Sequence, residues 1–139
     1  MAEAILRHRA RAAGADGAIE SASAGTRPFQ LGGPAHPMTL SVLAAKGIDA
    51  SGLSGRAIAA EDVESFDHIL AVDRHVLRHL ERLPFGRARI DLLLPYGGSG
   101  RLDVPDPFLE GGFDGVFDLL DDAIRGLLEE LLSQRRARG

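Results

Sequence analysis

A short apolar run that ends in an aspartate constrains the fold of this chain more than any other stretch. Residues 68–72, His-Ile-Leu-Ala-Val, show no alternation of polar and apolar side chains, which predicts a strand covered on both faces, as in a parallel sheet. Asp73 follows at once and can cap a helix that runs to Leu83, where Pro84 ends it. The stretch therefore predicts one strand–helix unit of an α/β protein.

The remaining elements continue this alternation of helix and strand, which is typical of a parallel α/β sheet. Leu40, Val42 and Leu43 are expected to form the apolar face of the second helix. A short helical turn is expected at 61–66. The main predicted elements are helices at 2–13, 37–47, 73–83 and 113–133 and strands at 18–23, 68–72 and 90–94.

The start of the first helix is unusual. The helical pattern is already present at Met1, and no Ser, Thr, Asp or Asn precedes it as a cap. An α/β unit normally begins with a strand, and ligands of such folds often bind at the turn after that strand. We therefore expect a further strand and its connecting loop to precede Met1 in the complete fold.

Composition and charge exclude several classes of function. The chain has 139 residues, the size of one domain, with a net charge of −4 and no cysteine. The charge is not the basic footprint of a nucleic-acid-binding protein, and a thiolate metal site or thiol nucleophile is excluded within these residues. The five histidines show no metal-ligand spacing.

No membrane span or signal peptide is apparent, and the arginine, alanine and glycine bias indicates a GC-rich bacterial genome, so we expect a cytoplasmic bacterial protein.

A second constrained stretch is residues 103–108, Asp-Val-Pro-Asp-Pro-Phe, which we call the Asp-Pro loop. Each proline fixes its own φ and moves the residue before it out of the helical region. The loop is therefore expected to be stiff and to hold Asp106 in one direction, with an aromatic ring two residues on. A carboxylate placed in this way suits a general acid or base. The alternative is a rigid turn whose Asp side chains bond their own backbone.

Taken in order, four pieces of the sequence resemble one family. They are Met1-Ala2-Glu3-Ala4, Ser23-Ala24-Gly25-Thr26, Ile69-Leu70-Ala71-Val72-Asp73-Arg74 and the Asp-Pro loop, and Gly47-Ile48-Asp49-x-Ser51-Gly52 also fits. On these motifs the chain resembles the low-molecular-weight protein-tyrosine phosphatases over essentially all 139 residues, as a single domain.

The resemblance implies a three-layer, doubly wound α/β fold around a four-stranded parallel sheet, here without its first, inner strand. In the family, a phosphate loop of the form Cys-x5-Arg-Ser-Pro follows that strand. Its thiolate attacks phosphorus, and an Asp-Pro aspartate protonates the leaving phenol and later activates water. The implied substrate is a phosphorylated protein or a small aryl phosphate. No metal or other cofactor is implied, and neither a nucleic acid nor a membrane is an expected partner.

The resemblance assigns a role to five residues, and most of them have a plainer alternative. Asp106 resembles the general acid. Phe108 and Phe29 match aromatic residues on the two walls of the substrate cleft, although both could simply cover the core. Ser23 matches a serine that steadies the phosphate loop, although it could be an ordinary strand-end hydroxyl. Asp73 matches an acidic residue near the site, and a helix cap explains it equally well.

The sequence also departs from the family. The first strand, the nucleophilic cysteine and the phosphate-binding arginine of the family are not found in these 139 residues, so we expect Met1 to take the place of an internal residue of an N-terminally truncated domain. Leu53 stands where the family often has a histidine that bonds to the phosphate loop, and Leu109 replaces a frequent tyrosine. Without the inner strand we expect a poorly stable, aggregating or rearranged chain, with residues 18–23 able to pair directly with 68–72.

Three interpretations follow from these motifs. In the first, the complete protein is a phosphotyrosine phosphatase that uses a phosphocysteine intermediate, and the 139 residues alone are inactive. In the second, the protein is a pseudophosphatase that serves as a binding module, although a preserved Asp-Pro loop argues against this. In the third, it is a protein-arginine phosphatase. Arsenate reduction is disfavoured, because the related reductases need further cysteines.

Overall fold

The computed structural model describes residues 1–25, 36–53, 56–84, 86–108 and 112–138. A 3-10 turn at Leu94–Tyr96 follows the second strand. The helices are α1 (Ala2–Ala12), α2 (Pro37–Ala45), α3 (Asp62–Ser65), α4 (Arg74–Leu80) and α5 (Gly112–Arg138), and the strands are β1 (His68–Ala71) and β2 (Arg89–Leu92).

The two strands pair in parallel, which confirms an α/β fold built on a parallel sheet. His68 lies opposite Arg89 and Ala71 lies opposite Leu92. Helix α4 connects the strands, as a parallel pair requires, since the chain must cross back before the second strand starts. The predicted third strand was expected at 90–94, but its last residues leave the sheet and enter the 3-10 turn.

The strand predicted at 18–23 is wrong for the structure described. Residues 19–24 have no regular secondary structure, and one parallel bridge between Gly25 and Ala57 follows them. A strand needs a hydrogen-bonded neighbour, and among the described residues the sheet contains only β1 and β2. Residues 18–23 are therefore not paired with 68–72 either. The expected instability of the 139-residue chain stays a prediction.

The core forms around α5, whose apolar spacing was predicted correctly. Buried residues of this helix include Phe117, Ile124 and Leu127. Helix α1 packs beside it and is held there by two hydrogen bonds from the Arg9 guanidinium to the Asp121 carboxylate, of 2.9 and 2.8 Å. In α2 the prediction was partly wrong, because Val42 and Leu43 are buried but Leu40 is 38% exposed. The largest fully buried side chains are Ile5, Leu43, Val63, Leu94 and Leu127.

A close backbone approach on α5 places the segment that leads to the Asp-Pro loop. The carbonyl of Tyr96 lies so near Gly126 that any side chain there would collide with it, so only glycine permits this contact. Two residues on, the Gly98 N–H donates a 2.8 Å hydrogen bond to the Asp122 carboxylate. The 3-10 turn and the start of the following loop are thereby attached to the helix at the centre of the core.

Candidate active site

Asp73 stands where β1 ends and α4 begins. Its carboxylate accepts a 2.7 Å hydrogen bond from the Val76 N–H, which is the standard N-cap contact. The helix-cap interpretation of Asp73 is thereby confirmed. Since the carboxyl ends of parallel strands are where α/β folds place ligands, the cap also lies at the edge of the sheet where a site is expected.

Asp103 attaches the start of the Asp-Pro loop to the first residue of α4. Its Oδ1 accepts a 2.8 Å hydrogen bond from the Arg74 backbone N–H, and its Oδ2 accepts one of 2.8 Å from the Arg74 guanidinium. The Val104 N–H then donates to the Val72 carbonyl over 2.8 Å. The loop is therefore held against the carboxyl end of β1 by side-chain and backbone contacts together.

The same contacts set the ionisation of Asp103. Hydrogen bonds from Arg74, first from its side chain and then from its backbone, lower the pKa of the Asp103 carboxyl below its ordinary value of 3.8. The Arg74 guanidinium pKa is raised for the same reason. Asp103 is therefore a charged anchor of the loop at neutral pH.

Asp106 follows Asp103 by three residues and is exposed. Its Oδ1 accepts a 2.9 Å hydrogen bond from the Phe108 N–H, so the side chain forms the local turn that the sequence offered as an alternative. Its Oδ2 has no hydrogen-bond partner among the residues that the structure describes. The two interpretations of the loop are compatible, because the turn fixes the carboxylate and leaves one oxygen open to solvent.

Phe108 presents an aromatic surface next to this carboxylate. It is 70% exposed, and its ring meets those of His36 and Phe113 edge to face, at centroid distances of 5.6 and 5.2 Å. His36 in turn stacks on Phe113 and accepts a hydrogen bond from the Met38 N–H as the cap of α2. Phe108 therefore does not cover the core. Its support by His36 was missed in the sequence, where the only signal was the position of His36 directly before Pro37.

Ser23 and Phe29 stay predictions as site residues. Ser23 is exposed in the irregular segment before Gly25. Phe29 lies outside the described residues, as does Leu109. The structure therefore attaches the loop that carries Asp106 and Phe108 at the end of β1, next to Asp73, through Arg74, which the sequence had not singled out.

Ser21, two residues before Ser23, is the serine with an unusual environment. Its hydroxyl oxygen is buried and has no hydrogen-bond partner among the described residues, and the same holds for Nδ1 of His68 in β1. Ser21 lines an open groove of about 420 Å³ between α1 and residues 19–22, which Phe66 borders just before β1. We call this the Ser21 groove. Buried polar atoms are usually paired, so these two are exceptions among the described residues.

Chemically, the described site offers a fixed carboxylate beside an exposed aromatic ring. This arrangement can donate a proton to, or accept one from, an aryl-bearing ligand. Within the described ranges there is no group of three side chains able to hold a metal ion, and none of the described helices is long and apolar enough to cross a membrane.

The sequence model of a family described as low molecular weight phosphotyrosine protein phosphatase matches residues 1–137. The chain belongs to this family. It is 32% identical to the low molecular weight protein-tyrosine-phosphatase YfkJ of Bacillus subtilis, over 98% of this chain and 89% of the relative. It is 36% identical to a low molecular weight protein-tyrosine-phosphatase of Streptomyces coelicolor, over 99% and 88% of the two chains.

Solved structures of the phosphatase family have the same fold. The crystal structure of Bacillus subtilis YfkJ superposes with a TM-score of 0.89, covering 96% of this chain and 86% of that one. A Drosophila arginine phosphatase superposes with a TM-score of 0.77 at 28% identity, covering 94% and 87% of the two chains. The fold class inferred from the four motifs is thereby confirmed as the low molecular weight phosphatase type.

Proposed function

We propose that the complete protein hydrolyses aryl phosphate monoesters, phosphotyrosine in proteins among them, and that Asp106 is its general acid. The observation that carries this proposal is the attachment of the Asp-Pro loop. Contacts of Asp103 and Val104 hold the loop at the carboxyl end of β1, and a turn then fixes Asp106 beside the exposed ring of Phe108. A placed carboxyl next to an aromatic wall suits protonation of a phenolate leaving group.

The proposed reaction passes through a phosphocysteine. A thiolate attacks phosphorus while Asp106 gives its proton to the departing phenol oxygen, and the Asp106 carboxylate then removes a proton from the water that hydrolyses the phosphoenzyme. These 139 residues contain no cysteine. We therefore propose that by themselves they do not catalyse the reaction, and that the nucleophile belongs to a strand and Cys-x5-Arg-Ser-Pro loop placed before Met1.

The remaining site residues have supporting roles in this proposal. Phe108 and Phe29 would flank the substrate ring from opposite sides. Ser23 would hydrogen-bond to the phosphate loop, and Asp73 would stabilise the turn beside it through its cap on α4. Family membership and the bacterial relatives support a bacterial cytoplasmic phosphatase that acts on phosphorylated proteins.

The test compares two proteins. One is the 139-residue chain, and the other, which we call the extended chain, carries in addition a first strand and a Cys-x5-Arg-Ser-Pro loop before Met1. We expect turnover of para-nitrophenyl phosphate by the extended chain alone, with loss of turnover after Asp106→Asn. Metal-free hydrolysis by the 139-residue chain that disappears after Asp106→Asn would overturn the proposal.

A second substrate is favoured by one observation, the structural similarity to a Drosophila arginine phosphatase. Phosphoarginine also carries a phosphoryl group on a leaving group that must be protonated, so the same aspartate could serve both. The two proposed substrates are distinguished by parallel assays of the extended chain on a phosphotyrosine peptide and a phosphoarginine peptide that otherwise have the same sequence. A higher kcat/KM for the phosphoarginine peptide would replace the first proposal by the second.

A further inference from the structure

Helix α4 and the turn after it expose a surface rich in arginine and histidine. At 3.6 residues per turn, residues 74 and 78 fall within one arc of α4 and residues 75 and 79 lie beside them, and Arg82 follows in the turn after Leu80. The opposite side holds Leu80 in the core. The five side chains of the exposed arc, which we call the basic face, are Arg74, His75, Arg78, His79 and Arg82.

The positive charge of the basic face is only partly compensated. Three carboxylates lie close to it: Asp103 pairs with Arg74, Asp73 lines the same cleft as Arg78, and Glu81 lies at the margin of the arc. Arg78 and Arg82 form no salt bridge with any described residue. Two exposed guanidinium groups are therefore available to a partner on a protein whose net charge is −4.

The basic face adjoins the Asp-Pro loop. Arg74 belongs to both, and an open cleft of about 460 Å³ between them is lined by Arg78 and His75 on one side and by Asp103 and Val104 on the other. Asp106 is at most about 10 Å along the chain from Asp103, and Arg78 is one helical turn, about 6 Å, from Arg74. An extended peptide would span the distance from Asp106 to Arg78 with roughly five to seven residues.

We propose that the basic face binds an acidic segment of the protein substrate, placed several residues from the phosphorylated side chain. The identity of this partner as a substrate rests on the proposed function, but its chemistry rests on charge complementarity with Arg78 and Arg82. Exposed ion pairs are individually weak, so the contribution is to the choice of substrate and to the rate of encounter more than to tight binding.

The test measures binding without catalysis. A fluorescein-labelled peptide of alternating glutamate and glycine is titrated with the 139-residue protein and with the extended chain at low salt, and anisotropy reports the complex. We expect Arg78→Glu/Arg82→Glu to weaken binding about tenfold. The matched control is Arg135→Glu/Arg136→Glu, which makes the same change in net charge at the exposed end of α5 and should leave binding nearly unchanged.

Several results would overturn the inference: an equal loss in the control pair, equal binding of the peptide with glutamine in place of glutamate, or tighter binding of a single-stranded oligonucleotide of the same charge. Because glutamate at position 78 would lie near Asp103, Arg78→Gln/Arg82→Gln is measured as well and should also weaken binding. If the extended chain turns over para-nitrophenyl phosphate but does not bind the acidic peptide, this inference fails while the proposed function stands.

Discussion

The Asp-Pro loop and the Ser21 groove lie on the same small domain but are built in opposite ways. Asp103 and Val104 hold the loop to α4 and to the end of β1 through side-chain and backbone hydrogen bonds. Across the groove, residues 19–24 make no sheet, and the buried Ser21 hydroxyl has no described partner. The loop is therefore attached by several contacts among residues of this chain, whereas the Ser21 hydroxyl at the groove is a buried polar atom without a partner among the described residues.

The largest effect expected for the Asp-Pro loop is a loss of catalytic rate. In the extended chain, Asp106→Asn should lower kcat for a phenolic substrate by roughly 10²–10⁴, the usual contribution of a placed general acid. Phenolate leaves poorly at neutral pH unless it is protonated as the P–O bond breaks. The loss of kcat caused by Asp106→Asn should therefore be smaller for an ester with a more acidic leaving group. Burst kinetics and kcat on two esters of different leaving-group acidity measure both effects.

Asp103→Asn is the matched control within the same loop. It removes the charge that pairs with Arg74 but not the proton donor, so we expect a smaller loss of kcat that is independent of the leaving group. A large, leaving-group-dependent loss with Asp103→Asn, together with a small one for Asp106→Asn, would assign the acid to the other carboxylate.

The second prediction compares how much side chains of the core and of the Ser21 groove contribute to the free energy of unfolding. Leu127→Ala removes a fully buried side chain of α5 and should lower the free energy of unfolding by about 2–5 kcal/mol. Ile19→Ala changes a half-buried residue at the Ser21 groove, where little cavity can form, and should cost about 1 kcal/mol or less. Urea melts of both variants check the difference, and equal losses would show that the groove is as well packed as the core.

Local signals in the sequence were sufficient for most of the fold. The cap at Asp73, Pro37 at the start of α2 and the apolar spacing of α5 can each be recognised within one or two helical turns of sequence, and the structure agrees. The apolar run at 68–72 likewise identified a strand without knowledge of its neighbour. Propensity and period act over short distances, so elements of this kind can be predicted from one sequence.

The sequence-based predictions failed where the local structure depends on residues that are distant in the sequence. Residues 18–23 have the composition of a strand, but a strand exists only with a paired neighbour. The contact between Arg74 and Asp103 joins positions 29 apart, and the support of Phe108 by His36 is also tertiary. The sequence alone therefore suggested which carboxylate was constrained, but not what holds the loop in place.

The third prediction uses the orphan hydroxyl of the Ser21 groove. Ser21→Ala removes a buried polar atom without a described partner, so it should leave the 139-residue chain unchanged or more stable by about 1 kcal/mol. In the extended chain, where added backbone can reach the hydroxyl, the same change should be destabilising. Ser65→Ala, at an exposed serine that donates to the Glu61 carbonyl, is the control and should stay within about 0.5 kcal/mol. Loss of stability with Ser21→Ala in the 139-residue chain would contradict an unsatisfied hydroxyl.

The smallest expected effect is a pH dependence of the loop attachment. The pKa of Asp103 is below 3.8 because Arg74 hydrogen-bonds to it. A depressed carboxyl pKa contributes stability above the unfolded-state value and loses it as the pH falls through the folded-state value. Hydrogen exchange of the Val104 amide, corrected for intrinsic rate, should therefore be constant from neutral pH to about pH 4 and faster below it.

Arg74→Met tests the cause of that dependence. Without the guanidinium, the acid-induced increase in Val104 exchange should be reduced, and exchange should be faster at neutral pH as well. An identical acid response in the variant would mean that another group controls the attachment of the loop.

The turn at Asp106 also decides which of its two oxygens can act. Oδ1 accepts a hydrogen bond from the Phe108 N–H. If Oδ1 carried the proton and pointed it at this N–H, the hydrogen bond would be lost. In the protonated side chain the hydrogen therefore belongs on Oδ2, which has no hydrogen-bond partner among the described residues. A flexible aspartate would present either oxygen in either orientation. Here the Phe108 amide occupies one carboxyl oxygen, so under the proposed general-acid role the proton would be delivered from the other oxygen, Oδ2.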